Sequence, residues 1–326
     1  MRRIFFLLLK AVASIALLYL ALRSVNLTAV GERLSHIGLA WLTVSWVIIS
    51  LQVMVGALRW REIINACAAK LSFLSALQIS FVGVFFSQVL PSTVGGDAAR
   101  IWLLGRKEGR WAAAAYSVLI DRVVGVTVLA AIVLACLPWT LTLTHDPLAR
   151  TVLILIGFGA LIGATIFLAL GIWPLPLFER FAPTRHLVAS SRAAWQVVRS
   201  PRSILIVSIS SLVIHSMTVT ATWACAKAVG APVSFAHILF LMPPVLLIAT
   251  VPISIAGWGV RESSMVLAFA QAGLAPSDGL ILSILFGLVS FAVGIIGGII
   301  WVGTIRAPST ERTTATDGAS YQPTLR

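Results

Sequence analysis

Apolar residues run through this chain in long unbroken stretches, at about 4–22, 37–57, 111–137, 151–173, 203–228 and 279–304, with short polar segments between them. Each is long enough to cross roughly 30 Å of hydrocarbon as an α-helix. The pattern predicts six full transmembrane helices. Met1-Arg2-Arg3 followed by Ile4 to Leu22 has the basic start and apolar middle of a signal peptide. Lys10 interrupts that run and the segment is long enough to span, so it is counted as helix one.

Two further apolar stretches are broken in the middle. Leu71 to Leu90 is laced with Ser72, Ser75, Gln78, Ser80 and Gln88 and stops at Pro91; the run that resumes at Ala98 ends by Leu104, with Arg106, Lys107 and Arg110 just beyond. Leu239 to Val251 breaks over Pro252 to Gly259 and resumes over Ser263 to Ala272. The run from Ala98 to Leu104 is too short to cross and basic residues follow it at once, so the stretch reads as a re-entrant helical hairpin, and its repeat at 239–272 likewise. Irregular backbone at membrane depth is tolerated only where protein or a water-filled cavity surrounds it. The expected fold is an all-α integral membrane protein of six full transmembrane helices plus two re-entrant helical hairpins.

The two breaks are one motif used twice. Pro91, Gly96 and Arg100 recur as Pro252, Gly257 and Arg261, all three offset by 161 residues. This predicts one transmembrane domain over 1–306, built from inverted-topology repeats of about 1–137 and 151–306 joined through the short loop 138–150. A basic linker, 174–202, lies within the second half, and 307–326 reads as a disordered tail. Broken helices from two pseudo-symmetric halves are where transporters place their binding sites.

Charge supports the membrane reading and gives it an orientation. Apolar residues make up 59% of the chain and charged residues 11%, against about a quarter charged in soluble domains. The net charge of +13 is distributed through the polar segments and does not indicate a nucleic-acid partner. With the N-terminus inside, segments 1–3, 58–70, 105–110, 174–202 and 305–326 hold 16 of the 24 Lys and Arg, while the opposite loops hold only Arg23, Arg33 and Arg150. The positive-inside rule then places both termini of a multi-pass protein in the cytoplasm. Cys67, Cys136 and Cys225 show no metal or redox spacing and read as packing residues. No cofactor, no metal and no catalytic constellation is expected, so the chain does not read as an enzyme.

The candidate chemistry lies at the breaks. Proline removes a backbone donor and the adjacent glycines, Gly95, Gly96, Gly257 and Gly259, open the ladder, so a fresh helix begins near mid-membrane with free amides that suit an anion. Asp97 is placed as N-cap, with Arg100 about one turn further along; Arg261 and Glu262 stand in the second copy. Asp121 and Arg122 lie roughly 15 Å into the helix that starts at Trp111, at 1.5 Å per residue. The substrate-binding candidates are Pro91, Gly95, Gly96, Asp97, Arg100, Asp121, Arg122, Pro252, Gly257, Gly259, Arg261 and Glu262. Two guanidinium groups brought together would suit a phosphate. Alternatively, Arg100 and Arg261 pair internally with Asp97, Asp121 or Glu262 and only hold the hairpins. Leu58-Arg59-Trp60-Arg61 reads as an interfacial anchor, and His215 as an interhelical hydrogen-bonder.

Leu58-Arg59-Trp60-Arg61, the stretch from Leu90 to Arg100, the Asp121-Arg122 pair (often Glu-Arg in the family) and Gly257 to Glu262 resemble the lysylphosphatidylglycerol synthase transmembrane family. Its best-understood members form the flippase domain of bacterial aminoacyl-phosphatidylglycerol synthases, and the resemblance covers nearly the whole chain up to about residue 306. It implies translocation of an anionic, phosphate-bearing lipid across the inner membrane. The soluble aminoacyltransferase domain of those synthases has no room here, so a stand-alone flippase-like protein is expected. Such proteins are also associated with hopanoid, glycan and polyprenyl-lipid pathways. The expected partners are an anionic membrane lipid and a lipid-pathway enzyme. The alternative is a non-catalytic accessory subunit of a lipid-modifying or glycosyl-transferring enzyme, docked through the basic linker.

Overall fold

The computed structural model describes residues 37–67, 69–90, 94–173, 182–251 and 258–306, with a few isolated positions between 16 and 31. The expected first helix, Pro91, Pro252, Gly257 and the 307–326 tail lie outside the described residues. Ten helices form the described fold: α1 (Leu39–Ala66), α2 (Phe73–Val89), α3 (Gly95–Glu108), α4 (Trp111–Leu143), α5 (Pro147–Ile172), α6 (Ala182–Arg199), α7 (Pro201–Ala228), α8 (Phe235–Ala249), α9 (Val260–Gln271) and α10 (Pro276–Arg306). Five of them, α1, α4, α5, α7 and α10, are long and apolar enough to cross a membrane. They coincide with five of the six spans expected from the sequence.

Second-half elements follow first-half elements at a nearly constant distance. Helices α1 and α7 both run 28 residues and begin at Leu39 and Pro201, 162 positions apart. The broken pairs α2/α3 and α8/α9 and the long helices α4 and α10 follow in the same order. The two copies also pack as exchanged partners: α2 lies against α10 and α8 against α4, while α3 lies against α4 and α9 against α10.

Helices α1 and α7 form the closest pair and run antiparallel. The Gly38 amide donates to the Ala228 carbonyl at 2.7 Å, Ser45 bonds the Ala221 carbonyl at 3.1 Å, Thr218 donates to Gln52 at 3.3 Å, and Ser203 donates to Glu62 at 2.8 Å. As the number rises on one helix it falls on the other.

Helix α10 is central. In its most apolar stretch 61% of residues are buried, against 33% or less in the other four spans. Small residues make this approach possible: Gly297 faces the Phe81 carbonyl of α2, and Gly294 and Gly298 face Phe85. Such positions let membrane helices meet backbone to backbone. The main core lies around them, with Ile238, Met242, Met265, Phe269, Ile281 and Leu282 each buried to within a percent of completely.

The amphipathic helix α6 packs across α5, α4, α1 and α7. Trp195 and Ser191 donate to the Leu168 and Phe167 carbonyls at 2.8 and 2.5 Å, and the Tyr116 hydroxyl meets His186 Nδ1 at 2.7 Å. The linker of the sequence reading is therefore largely this one docked helix.

One sequence expectation fails in the fold. Helix α1 does not stop near Ala57 but continues to Ala66, and Trp60 is fully buried, donating from Nε1 to Ser117 Oγ at 3.2 Å. Arg59 and Trp60 are interior residues, so the stretch from Leu58 to Arg61 is not an interfacial anchor. The helix can run on with a charge inside because that charge is paired within the bundle.

Candidate functional site

Helix α3 begins with Gly95 and Gly96 pressed against α2, where side chains would meet Leu90 and the Phe86 carbonyl at Gly95, and Ser87 and the Gly83 carbonyl at Gly96. This contact packs α3 against α2 and fixes the positions of Asp97 and Arg100. Gly83 leaves room for the stem of Arg100, whose Cγ lies only 3.0 Å from where a Gly83 side chain would start. Val94, not Asp97, is the N-cap residue, and Asp97 stands in the first turn with its carboxylate turned away from the helix amides. Its partner is a guanidinium across the interface.

A polar ladder crosses four helices. Arg122 Nε and Nη2 donate to Asp97 Oδ2 and Oδ1 at 2.7 and 3.1 Å, a bidentate pair between α4 and α3. Arg100 Nη1 approaches Asp97 Oδ1 at 3.7 Å, and both its terminal nitrogens donate to Asp121 Oδ2 at 3.0 Å. Asp121 Oδ1 accepts from Arg59 Nε at 2.8 Å, and Arg59 Nη1 reaches Ser211 Oγ of α7 at 3.1 Å. The Arg100 guanidinium also lies 4.1 Å from the centre of the Trp60 ring. Gly125 lies beside the Arg59 guanidinium, and His215 Nε2 meets its carbonyl at 3.1 Å.

The ladder faces a cavity of about 350 Å³, lined also by Gln52, Ser80, Ser87, Gly96 and Thr250. Three guanidinium groups meet two carboxylates there, and arginine does not lose its proton in proteins. Among the described residues the wall is therefore one positive charge in excess. Asp97 and Asp121 are buried, while the Arg122 side chain keeps 54% of its surface exposed. Arg100 Nε is buried and has no hydrogen-bond partner among the described residues. This is the chemistry of an anion site: fixed cations, a helix N-terminus at Gly96 and donors left over.

The second copy is closed. Arg261 Nη2 donates to Glu262 Oε1 at 2.8 Å, Arg261 Nε to Ser283 Oγ at 2.9 Å, and Ser283 Oγ to the same Glu262 oxygen at 2.9 Å. Glu262 Oε2 accepts the Gly259 amide at 2.7 Å, capping α9 where Gly259 sits at φ +88°, a region that glycine enters without strain. Trp258 and Phe286 flank the guanidinium at 5.2 and 5.6 Å. Arg261 does not line the cavity that holds Arg100. The structure brings Gly96, Asp97, Arg100, Asp121 and Arg122 together and sets Gly259, Arg261 and Glu262 apart in a neutral ion pair.

The repeat survives in the reach of each arginine. Arg100 bonds a residue 21 positions on, in the following span, and Arg261 bonds one 22 positions on. What changed is the carboxylate: it stands on the facing span as Asp121 in the first copy and beside the arginine as Glu262 in the second. The helix start moved too, since Arg100 is the sixth residue of α3 and Arg261 the second of α9.

Arg59, His215 and Gln52 belong to the site and were not singled out for it in the sequence. Gln52, Gly56 and Arg59 recur at spacings of four and three, which sets them on one face of α1. That polar face inside an apolar helix was the available signal.

Apolar spans packed around a charged internal cavity define a polytopic membrane protein. The chain belongs to the family described as the lysylphosphatidylglycerol synthase TM region, whose family model matches residues 7–298. It is similar to the UPF0104 membrane protein PH1989 of Pyrococcus horikoshii, 18% identical over 281 residues that cover 77% of this chain and 83% of that protein. No solved structure matches it.

Proposed function

We propose that this protein moves an anionic, phosphate-bearing lipid across the bacterial inner membrane, with the headgroup held in the cavity between α1, α3, α4 and α7. The observation that carries this reading is the excess guanidinium: Arg59, Arg100 and Arg122 against Asp97 and Asp121, with Arg122 half-exposed to the cavity. Ionisable groups at membrane depth are costly and mark substrate pathways. The matching lengths, order and exchanged packing of α1–α4 and α7–α10, and the antiparallel course of α1 and α7, support six spans and two re-entrant hairpins in an inverted repeat. Gly95, Gly96, Asp97, Arg100, Asp121 and Arg122 form the binding half; Gly259, Arg261 and Glu262 brace the other. Loop charges favour cytoplasmic termini.

Reconstitution tests it directly. Vesicles holding the protein should exchange fluorescent phosphatidylglycerol between leaflets faster than fluorescent phosphatidylcholine, and Arg122→Ala should remove the difference. Exchange equal to that of protein-free vesicles, with no anionic lipid copurifying, would overturn the reading and favour an accessory subunit that docks an enzyme.

A further inference from the structure

A second recess opens beside the polar cavity. It is a cleft of about 260 Å³ between α4 and α5, walled by Val123, Val126 and Thr127 on one side and Ala160, Gly163 and Ala164 on the other. Arg122 and Val126 line both recesses. Arg122 spends Nε and Nη2 on Asp97, and Nη1 makes no hydrogen bond among the described residues.

The cleft exists because the two helices part at this level. At Gly157, α5 lies close against Leu134 of α4, so near that an added side chain would start 2.8 Å from it. At Gly163 an added side chain would meet nothing within 4 Å. The outer face of α5 carries exposed Phe158, Ile162 and Ile166, which suit a lipid environment. The cleft thus runs between the surface that would meet lipid and the charged cavity.

We propose that this cleft takes one acyl chain of the anionic lipid whose headgroup occupies the polar cavity, with Arg122 at the junction where phosphate and tail diverge. It rests on the function proposed above. Walls of valine, alanine and glycine, with the Thr127 hydroxyl already donating to the Val123 carbonyl at 2.6 Å, offer nothing to a phosphate, and five ionised side chains offer nothing to an alkyl chain. A molecule that fills both recesses is an anionic amphiphile. The continuity of the two through a half-exposed arginine distinguishes this cleft from other apolar grooves on the bundle.

The test uses the full chain in phosphatidylcholine vesicles with phosphatidylglycerol carrying a diazirine midway along one acyl chain. Photolysis of the wild type should place adducts on Val126, Ala160 or Ala164. At Gly163 an added Cβ has nothing within 4 Å, so the Gly163→Leu side chain can extend into the open cleft and the variant should keep the wild-type melting temperature. It should lower those adducts about tenfold, the factor that loss of about two buried methylenes gives. Adducts confined to Phe158, Ile162 and Ile166, or unchanged in Gly163→Leu, would overturn the tail site while anionic lipid still copurifies with both proteins. If no anionic lipid copurifies with the wild type and the phosphatidylcholine probe labels the cleft equally, the headgroup reading fails and the tail site falls with it.

Discussion

Arg59 and Asp121 lie 62 residues apart in the chain and are joined at 2.8 Å inside the bundle, linking α1 to α4. Asp121 serves Arg100 with its other oxygen. Asp121→Asn would leave two buried guanidinium groups without their carboxylate, and breaking a buried pair from one side costs about 3–5 kcal/mol. We expect a clearly lower melting temperature for purified Asp121→Asn. An unchanged melting temperature would show that the ladder is not structural.

Arg122 should behave differently, because half of its side chain is exposed. Its partner Asp97 is buried but keeps Arg100 at 3.7 Å, so Arg122→Ala should melt closer to the wild type than Asp121→Asn does. It should nevertheless lose copurified anionic lipid, by about tenfold or more if one charged hydrogen bond to the ligand goes. Lipid retained at wild-type levels would remove Arg122 from the site.

Arg261 offers the opposite contrast. Glu262 is completely buried and Arg261 is its only charged partner among the described residues. Arg261→Ala should therefore lower stability by about 3–5 kcal/mol, and Arg261→Met combined with Glu262→Gln should recover part of that loss. Lipid content per folded molecule should not change in either variant. A specific loss of lipid in Arg261→Ala, without instability, would restore Arg261 to the binding half.

Gly96→Leu tests the first hairpin. A side chain there collides with Ser87 and the Gly83 carbonyl, backbone that cannot yield, and overpacking costs about 1–3 kcal/mol. The chain should still insert, with both stability and lipid exchange reduced. Wild-type exchange would mean that α2 and α3 separate freely.

Topology is tested by cysteine labelling in a cysteine-free background. Residue 145 is exposed between α4 and α5, and residue 106 is exposed at the far end of α3. A membrane-impermeant reagent added outside should label His145→Cys and spare Arg106→Cys. Labelling of both would break the inverted arrangement.

The five described spans were legible because a membrane helix announces itself by length and apolarity alone. The division into α2 and α3 and into α8 and α9 was legible because proline, glycine and charge interrupt that apolarity at matched positions. Partnerships were not legible. Arg59 beside Trp60 has the composition of an interfacial girdle, and only tertiary packing reveals that Asp121 and Ser117 wait for them. Asp97 stands among residues that suit an N-cap, yet a bidentate arginine on another helix wins the carboxylate. The motif treats Arg100 and Arg261 as equals, whereas a carboxylate displaced from the facing span to the neighbouring residue leaves one open and the other closed.

The odd guanidinium of the cavity has an electrical consequence. Among the described residues three arginines and two aspartates leave the cavity at +1, and under the proposed function a headgroup of charge −1 would bring it to neutrality. Moving one elementary charge through the full membrane field is worth about 2.3 kcal/mol per 100 mV. If the protein moves lipid as proposed, a voltage across the bilayer would act on the unloaded protein and leave the lipid-bound one nearly indifferent, so a potential imposed on vesicles should change how fast the unloaded site resets rather than how fast cargo crosses.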